Sequence, residues 1–177
     1  KIVKESIKLN IPILTFYVFS SENWKRPEKE KKYLFNLIKR YFSVELNNIT
    51  YQGIKINILG DFKKFSSDLK SVLKKTTEHT KKNRKIIVNL AINYGAKMEI
   101  IQAFKKTKGD FKIKNLEKNL FTKNMPNPDI LIRTGGYQRL SNFLLWQLAY
   151  TELFFLKKLW PDFNIKDLLK IIKKFKK

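Results

Sequence analysis

One short run in the sequence combines two arginines, a glycine pair and a serine, the groups that proteins use to hold small anions. Arg133 closes a predicted buried strand, and the glycines at 135–136 allow a tight turn. Arg139 and Leu140 lead to Ser141, which we interpret as the N-cap of a helix. Free N–H groups at that helix start, beside two guanidinium groups, would bind a doubly charged anion, and a diphosphate fits best. The alternative is a capped helix whose arginines pair with surface acids.

An acidic residue follows this run. Glu152 comes after a strongly apolar stretch, 142–150, whose spacing predicts a helix. A carboxylate in apolar surroundings needs a cation or a strong donor, because an isolated buried charge is costly. Mg²⁺, which takes one or two carboxylates together with substrate phosphates, is one such cation. A salt bridge to one of the many lysines accounts for Glu152 equally well.

A second candidate site lies at 19–27, where the sequence reads FSSENWKRP. We expect Ser20, Asn23 and Arg26 to face a cleft, while Trp24 offers a broad apolar surface beside them. A polar head site next to an aromatic wall suits an amphiphile with a charged head and a hydrocarbon tail. The alternative is that Trp24 belongs to the core and that the serines only end a strand.

The composition excludes several other kinds of site. The 177 residues include 38 Lys and Arg, 15 Asp and Glu, one His and no Cys, giving a net charge of +23. No disulfide, thiolate nucleophile or Cys-bound metal is possible, and the single histidine, His79, excludes multi-histidine metal sites. The charge comes mostly from lysine, whereas phosphate-binding surfaces favour arginine. We therefore interpret it as a biased solvent-facing composition, with a basic nucleic-acid binder as an alternative.

The apolar pattern alternates between strands and helices. Strands are predicted at 11–20, 54–59, 86–92, 129–132 and 153–156. Helices are predicted at 1–10, 27–49, 66–79, 98–106 and 142–150, with a last one capped by Asn164. This alternation predicts an α/β fold with a single domain, in which a mostly parallel sheet is flanked by helices. Ligands bind beyond the carboxyl ends of parallel strands. We expect such a cleft to be lined by the segments 20–24, 60–61, 93–95 and 133–136.

Two long motifs carry a resemblance to a known family. The run FSSENWKRP at 19–27 and the run IRTGGYQRLSNFLLWQLAYTELFFLKKLWPDF at 132–163 strongly resemble the cis-prenyltransferases, and most closely the bacterial undecaprenyl diphosphate synthases. The LGD at 59–61 and the Asn-Tyr-Gly at 93–95 are similar to the same family in order and spacing. The resemblance covers essentially the whole chain.

The resemblance implies a fold, a reaction and partners. It implies a single domain with an apolar tunnel, which adds isopentenyl diphosphate repeatedly to an allylic diphosphate such as farnesyl diphosphate, making each new double bond cis. It also implies Mg²⁺, a homodimer packed around 142–160, and a long polyprenyl product such as the undecaprenyl carrier of wall polymers. Because the product is a lipid, the resemblance also implies a cytoplasmic protein that is loosely associated with the inner face of the membrane. It implies no nucleic-acid partner.

The resemblance also implies roles for individual residues. Asn23 matches a position that assists proton removal during condensation. The substrate-contact segment around it is represented by Ser20, Ser21, Glu22, Trp24 and Arg26. The family residues that hold the diphosphate of isopentenyl diphosphate correspond here to Arg133, Arg139, Leu140 and Ser141. Glu152 resembles the Mg²⁺-associated acid.

Two departures from the family pattern stand out. The family's N-terminal strand and its Asp-Gly-Asn-Gly-Arg loop are not in the sequence, and Lys1 matches a position inside the following helix. If 177 residues were the whole molecule, we would expect an incomplete starter site and no turnover, as in a fragment or a non-catalytic partner subunit. In addition, Tyr137 replaces the usual Glu beside Arg139, and Ala96-Lys97 replace a usual Gly-Arg pair.

Overall fold

The computed structural model describes residues 1–175 and divides into two compact units. The first unit comprises Ser6–Gly95, and the second comprises Lys1–Glu5 together with the chain from Ala96 onwards. Each unit contains parallel strands and helices, which confirms the predicted α/β class with a mostly parallel sheet flanked by helices. The single domain and its apolar tunnel depend on how the units associate and stay predictions.

The first unit is a three-stranded parallel sheet with two long helices. A short helix precedes it, and the elements in chain order are α1 (Ile2–Lys8), β1 (Ile13–Ser20), α2 (Glu28–Tyr51), β2 (Ile54–Leu59), α3 (Ser67–Thr80) and β3 (Ile86–Tyr94). The strand order is β1-β3-β2, so β3 is central and is the most deeply buried strand. β1 lies at an edge and is half-buried apart from Phe19.

The two long helices bury one stripe each. On α2 the buried apolar residues follow helical spacing, and they are Ile38, Phe42, Leu46 and Ile49. Burial of such side chains contributes roughly 1.5–3 kcal/mol each, which stabilises the helix beyond its intrinsic propensity. α3 is fixed to the sheet by a hydrogen bond as well, because the Ile56 amide donates to Thr80 Oγ1 at 3.0 Å.

A polar row crosses the sheet of the first unit. Asn89, on the central strand, is only 2% exposed. It accepts a hydrogen bond from Asn57 Nδ2 and donates one to Thr15 Oγ1, both at 3.1 Å. These residues are register partners in the sheet, so a slip of either edge strand would leave a buried amide short of a partner.

The second unit contains a two-stranded parallel sheet and three helices after α1. Its elements are α4 (Ala96–Lys106), α5 (Ile113–Glu117), β4 (Ile130–Arg133), β5 (Glu152–Phe155) and α6 (Ile165–Phe175). The predicted cap of α6 is confirmed, because Asn164 Oδ1 accepts from the Lys166 amide at 2.9 Å. The Asp167 carboxylate accepts from the Asn164 amide at 2.9 Å in return. Within residues 1–175, no helix combines the length and apolar character needed to cross a bilayer.

The predicted helix over 142–150 is wrong, because that segment forms consecutive turns. Ser141, Asn142 and Leu144 have positive φ angles of 50°, 61° and 45°, which a right-handed helix does not allow. Hydrogen bonds to α4 explain the change. The Asn142 carbonyl accepts from the Ala96 amide at 2.8 Å, and its Oδ1 accepts from the Lys97 amide at 2.9 Å. Asn142 thus caps α4 instead of continuing a helix of its own.

Candidate functional site

The carboxyl ends of the three strands in the first unit meet at one edge, as predicted. Asn93, at the end of β3, has a positive φ of 51° and links the other two strand ends. Its Oδ1 accepts from Trp24 Nε1 at 2.6 Å, and its Nδ2 donates to the Asp61 carbonyl at 2.6 Å. The residue between β2 and Asp61 has to be glycine, because a Cβ on Gly60 would lie 2.0 Å from the Ile92 carbonyl oxygen. The edge is therefore rigidly tied together.

Asn23 lies in a short 3₁₀ helix, Ser21–Lys25, directly after β1. Its Oδ1 accepts from the Ser20 amide at 3.0 Å, which fixes the plane of the carboxamide. Ser21 Oγ donates to Glu22 Oε2 at 3.0 Å on the exposed side of this turn. The local hydrogen bonds thus give Asn23 one orientation rather than a set of rotamers.

Trp24 combines both roles that the sequence left open. Its ring packs against an aromatic cluster, with centroid distances of 5.5 Å to Phe19, 5.7 Å to Phe35 and 6.0 Å to Phe65. It is nevertheless only half-buried, and the ammonium group of Lys31 lies 5.4 Å from its centroid. Trp24 is therefore partly core and partly an aromatic wall beside a cation.

Lys31 is a functional candidate that the sequence analysis missed. It is 7% exposed, donates to the Trp24 carbonyl at 3.0 Å and forms an ion pair with Glu28. A buried lysine needs such partners, since an unpaired charge is costly. Its place in the first turn of α2, seven positions after Trp24, is the signal that could have identified it.

A pocket of about 590 Å³ opens beside this segment within the first unit. Its walls mix apolar and charged side chains, namely Phe19, Arg26, Pro27, Lys29, Glu30, Lys31, Tyr33 and Leu34. Of the residues expected at the cleft, Arg26 lines this pocket, whereas Ser20, Asn23 and Trp24 are not among its lining residues, so the site for a charged head and an apolar tail stays a prediction. Near it, burial and the neighbouring Glu22 carboxylate raise the pKa of Tyr17 to about 12, so its phenol stays neutral.

Residues 133–141 of the second unit form a loop, here called the arginine loop, whose hydrogen bonds centre on Arg133. Arg133 Nη1 donates to Ser141 Oγ at 2.9 Å and to the carbonyl of Arg139. The loop is attached to the segment that directly follows β5, because the Gly135 and Gly136 amides donate to the Lys158 and Leu156 carbonyls at 2.9 Å. The structure thus brings together Arg133, Arg139 and Ser141, as predicted. It does so without a helix start, so the expected helix N–H donors are absent from residues 142–150.

Tyr137 lies on the same loop and contacts both arginines. The Arg139 Cζ lies 4.4 Å from the ring centroid and the Arg133 Cζ lies 5.9 Å from it. Leu140 is half-buried, and its carbonyl accepts from the Phe143 amide at 3.1 Å. Leu140 therefore shapes the loop through its backbone.

A buried polar network lies behind this loop and was also missed. Glu99 on α4 and Gln147 are 2% and 1% exposed. Gln147 Nε2 donates to Glu99 Oε2 at 3.1 Å and to Thr122 Oγ1 at 2.9 Å, while the Phe121 amide donates to Glu99 Oε1 at 2.7 Å. Together with the cap by Asn142, this network attaches the turns that follow Ser141 to α4. A polar pair within two apolar runs is the signal that the sequence offered.

Glu152 differs from its expected setting. It is the first residue of β5 rather than the end of a helix, and it is exposed. The argument that a buried carboxylate there requires a cation is therefore wrong. Among the described residues no group of three or more acidic, His or Cys side chains is arranged to hold a metal. A single exposed carboxylate still fits Mg²⁺ that is bound mainly through substrate phosphates.

Asn23 and Arg26 belong to the first unit, whereas Arg133, Arg139, Ser141 and Glu152 belong to the second. The residues of each unit cluster as described above. The single pocket shared by both groups stays a prediction.

The chain was compared with known sequences. Residues 1–177 match the family model described as "Putative undecaprenyl diphosphate synthase". The chain is 42% identical over 174 residues to the isoprenyl transferase of Oceanobacillus iheyensis, covering 93% of this chain and 69% of that protein. It is 41% identical over 181 residues to the isoprenyl transferase of Rickettsia sibirica, covering 100% of this chain and 80% of that protein.

Solved structures give the same result. A probable undecaprenyl diphosphate synthase from Campylobacter jejuni matches with a TM-score of 0.91 and 34% identity, over 99% of this chain and 85% of that one. Lavandulyl diphosphate synthase from Lavandula x intermedia, solved in complex with dimethylallyl diphosphate, matches with a TM-score of 0.92 and 29% identity, over 98% of this chain and 80% of that one.

Proposed function

The chain belongs to the undecaprenyl diphosphate synthase family of isoprenyl transferases, and from this premise we propose that it takes part in cis-prenyl chain elongation. The proposed reaction joins isopentenyl diphosphate to an allylic diphosphate, with farnesyl diphosphate as the starter and undecaprenyl diphosphate as the product. The observation that carries the proposal is the cluster of Arg133, Arg139 and Ser141 around one glycine turn.

The arginine loop would bind the diphosphate of isopentenyl diphosphate. Guanidinium groups donate paired, charge-assisted hydrogen bonds to phosphate oxygens, and a serine hydroxyl adds a second kind of donor. Arg133 is already held by Ser141 Oγ and by the backbone of Arg139, so little side-chain freedom is lost when the anion binds. These contacts fix the head of the substrate and leave its carbon chain to reach the allylic partner.

The edge of the first unit would handle the allylic substrate and the proton. The pocket beside Arg26 offers charged groups for a diphosphate and apolar walls, with Phe19 and Leu34, for a hydrocarbon chain. Departure of the allylic diphosphate leaves an allylic carbocation, and the double bond of isopentenyl diphosphate supplies the electron pair for the new carbon–carbon bond. One proton then passes to an oxygen of the departed diphosphate, which leaves the new double bond. Asn23, fixed by the Ser20 amide, would orient the group that accepts this proton.

Mg²⁺ is the proposed cofactor, with Glu152 as its protein ligand beside the diphosphate. When bound, the ion supplies charge neutralisation for the diphosphate groups. Glu152 is exposed at the start of β5, so its carboxylate is free to swing towards such an ion without a burial penalty. The homodimer around 142–160 and a cytoplasmic protein loosely attached to the inner membrane face belong to the same proposal.

Two measurements test the proposal. Isothermal titration of isopentenyl diphosphate into the protein should show binding that weakens at least tenfold in Arg139→Ala, because a charge-assisted hydrogen-bonding group is lost. Incorporation of labelled isopentenyl diphosphate with farnesyl diphosphate, with and without EDTA, then reports turnover, metal dependence and product length. Arg84→Ala, which removes an exposed arginine of the first unit, is the matched control. Equal affinity in Arg139→Ala and Arg84→Ala would overturn the site assignment.

A further inference from the structure

Tyr137 contacts both arginines of the proposed diphosphate site. The Arg139 Cζ lies over its ring at 4.4 Å from the centroid, and the Arg133 Cζ lies at 5.9 Å. The tyrosine itself is 58% exposed, so its ring does not serve as core packing. Burial of apolar surface therefore does not account for a large aromatic ring that contacts two cations at this position.

The two arginines are held in different ways. Arg133 donates hydrogen bonds to Ser141 Oγ and to the Arg139 carbonyl. The Arg139 guanidinium forms neither a hydrogen bond nor an ion pair with any residue in the part of the chain that the structure describes, and the Tyr137 ring is its contact. The side chain of arginine has large rotamer freedom, which this ring restricts.

We propose that Tyr137 is a positioning residue that holds the Arg139 guanidinium ready for the substrate diphosphate. The inference rests on the proposed function and deepens it. An aromatic ring contacts the face of a guanidinium group, whereas the N–H donors lie in the plane of that group. The ring therefore orders Arg139 without occupying the donors that phosphate needs.

The chemistry of the ring matters as much as its shape. A carboxylate at position 137 would also hold the arginines, but it would accept their N–H donors and compete with the incoming anion. The ring quadrupole attracts both cations and leaves their charge uncompensated. Tyr137 thus keeps two like charges close together in the absence of substrate.

The test compares three variants by titration with isopentenyl diphosphate. Tyr137→Leu should weaken binding about three- to fivefold, in line with the strength of an exposed cation–π contact. Tyr137→Phe keeps the ring and should stay within about twofold of the parent protein. Tyr51→Leu makes the same change at a tyrosine that is 89% exposed in the other unit, and should have no effect. Thermal unfolding of each variant confirms that it is folded.

A spectroscopic readout separates positioning from a merely structural role. The ring current of Tyr137 should shift the Arg139 Nε–Hε resonance upfield in the free protein. Tyr137→Leu should remove that shift and Tyr137→Phe should keep it. The chain has five arginines, so substitution of Arg139 assigns the signal.

The failure of this inference is distinguishable from failure of the proposed function. If Arg139→Ala leaves isopentenyl diphosphate binding unchanged, the proposed diphosphate site is wrong. If Arg139→Ala weakens binding but Tyr137→Leu does not, only the role of Tyr137 is wrong. Once Arg139 is alanine, Tyr137→Leu should weaken binding no further. An equal loss with and without Arg139 would overturn the inference, because the ring would then act independently of that side chain.

Discussion

The contact between Arg133 and Ser141 allows a double-mutant test of the arginine loop. Arg133 Nη1 donates to Ser141 Oγ at 2.9 Å, and both residues are assigned to the same diphosphate. Ser141→Ala removes the acceptor and one donor to the substrate. Arg133→Lys keeps the positive charge but removes the planar fork that reaches the serine, the Arg139 carbonyl and phosphate together.

The expected magnitudes follow from the exposure of the pair. Arg133 is half-buried and Ser141 is exposed, so their hydrogen bond contributes about 1 kcal/mol, near the middle of the usual range. Ser141→Ala should therefore weaken isopentenyl diphosphate binding about fivefold. Arg133→Lys also loses paired contacts to a charged ligand, for which about 1.5–3 kcal/mol, or 10- to 100-fold, is expected.

Isothermal titration of the parent, both single variants and the double variant measures the coupling between the two positions. Because each residue holds the other, the double variant should bind more tightly than the summed losses predict, by about 1 kcal/mol. Losses that add to within about 0.3 kcal/mol would show that the two side chains act separately. Unchanged affinity in Arg133→Lys would refute the assignment of this loop to the diphosphate.

Three further predictions concern the surroundings of the two sites. Gly60→Ala should lower the free energy of unfolding by about 3 kcal/mol or more in urea titrations, because its φ of +138° is unfavourable for alanine and the Ile92 carbonyl lies 2.0 Å from the new Cβ. Gln147→Leu should lower the thermal midpoint by about 2–10 °C, because the buried Glu99 carboxylate loses a donor at 3.1 Å. The Tyr17 pKa of about 12 exceeds its ordinary value of 10.0, so stability should fall as the pH rises from about 10 through 12. Burial also raises the pKa of Tyr41, so Tyr17→Phe should reduce the late phenol titration seen in absorbance at 295 nm rather than abolish it.

Each of these predictions has a control and a contradicting result. Gly136→Ala faces open space at a φ of +80° and should cost about 1–2 kcal/mol, so equal effects at both glycines would contradict the steric argument. Gln147→Glu places a second carboxylate beside Glu99 and should lower the thermal midpoint more than Gln147→Leu does. The reverse order would contradict the role of Gln147 as a hydrogen-bond donor to Glu99. A Tyr17→Phe protein whose late phenol titration has the same amplitude as that of the parent protein would contradict the raised pKa of Tyr17.

The sequence alone predicts those parts of the fold in which the local residue pattern and the observed burial agree. The stripe of α2 and the cap at Asn164 were predictable because spacing and cap chemistry act within a few residues. The shared edge formed by Asn93 and Asp61 followed from parallel strands ending together. The family assignment followed from two long motifs, and the comparisons confirm it.

The sequence alone does not predict those parts of the fold in which hydrogen bonds to residues distant in sequence determine the backbone conformation. The apolar spacing of 142–150 favours a helix, but Asn142 uses its carbonyl and its side chain to cap α4 instead. Glu152 was expected after an apolar helix and lies exposed as the first residue of β5, where its amide donates to the Asp129 carbonyl at 3.0 Å. The network of Glu99 and Gln147 joins residues 48 positions apart, which no local pattern reports. Tertiary hydrogen bonds outweigh propensity in each case.

The cap of α4 by a residue 45 positions later also bears on tolerance to insertion. The intervening chain passes through an exposed stretch, Lys108–Lys112, in which a Cβ added to Gly109 would meet no atom within 4 Å. Ring-closure entropy grows only with the logarithm of loop length, so ten extra residues there would cost roughly 0.2 kcal/mol. A reporter peptide or an affinity tag placed between α4 and α5 should therefore leave the arginine loop assembled, and this stretch offers a site for labelling the protein without touching either terminus.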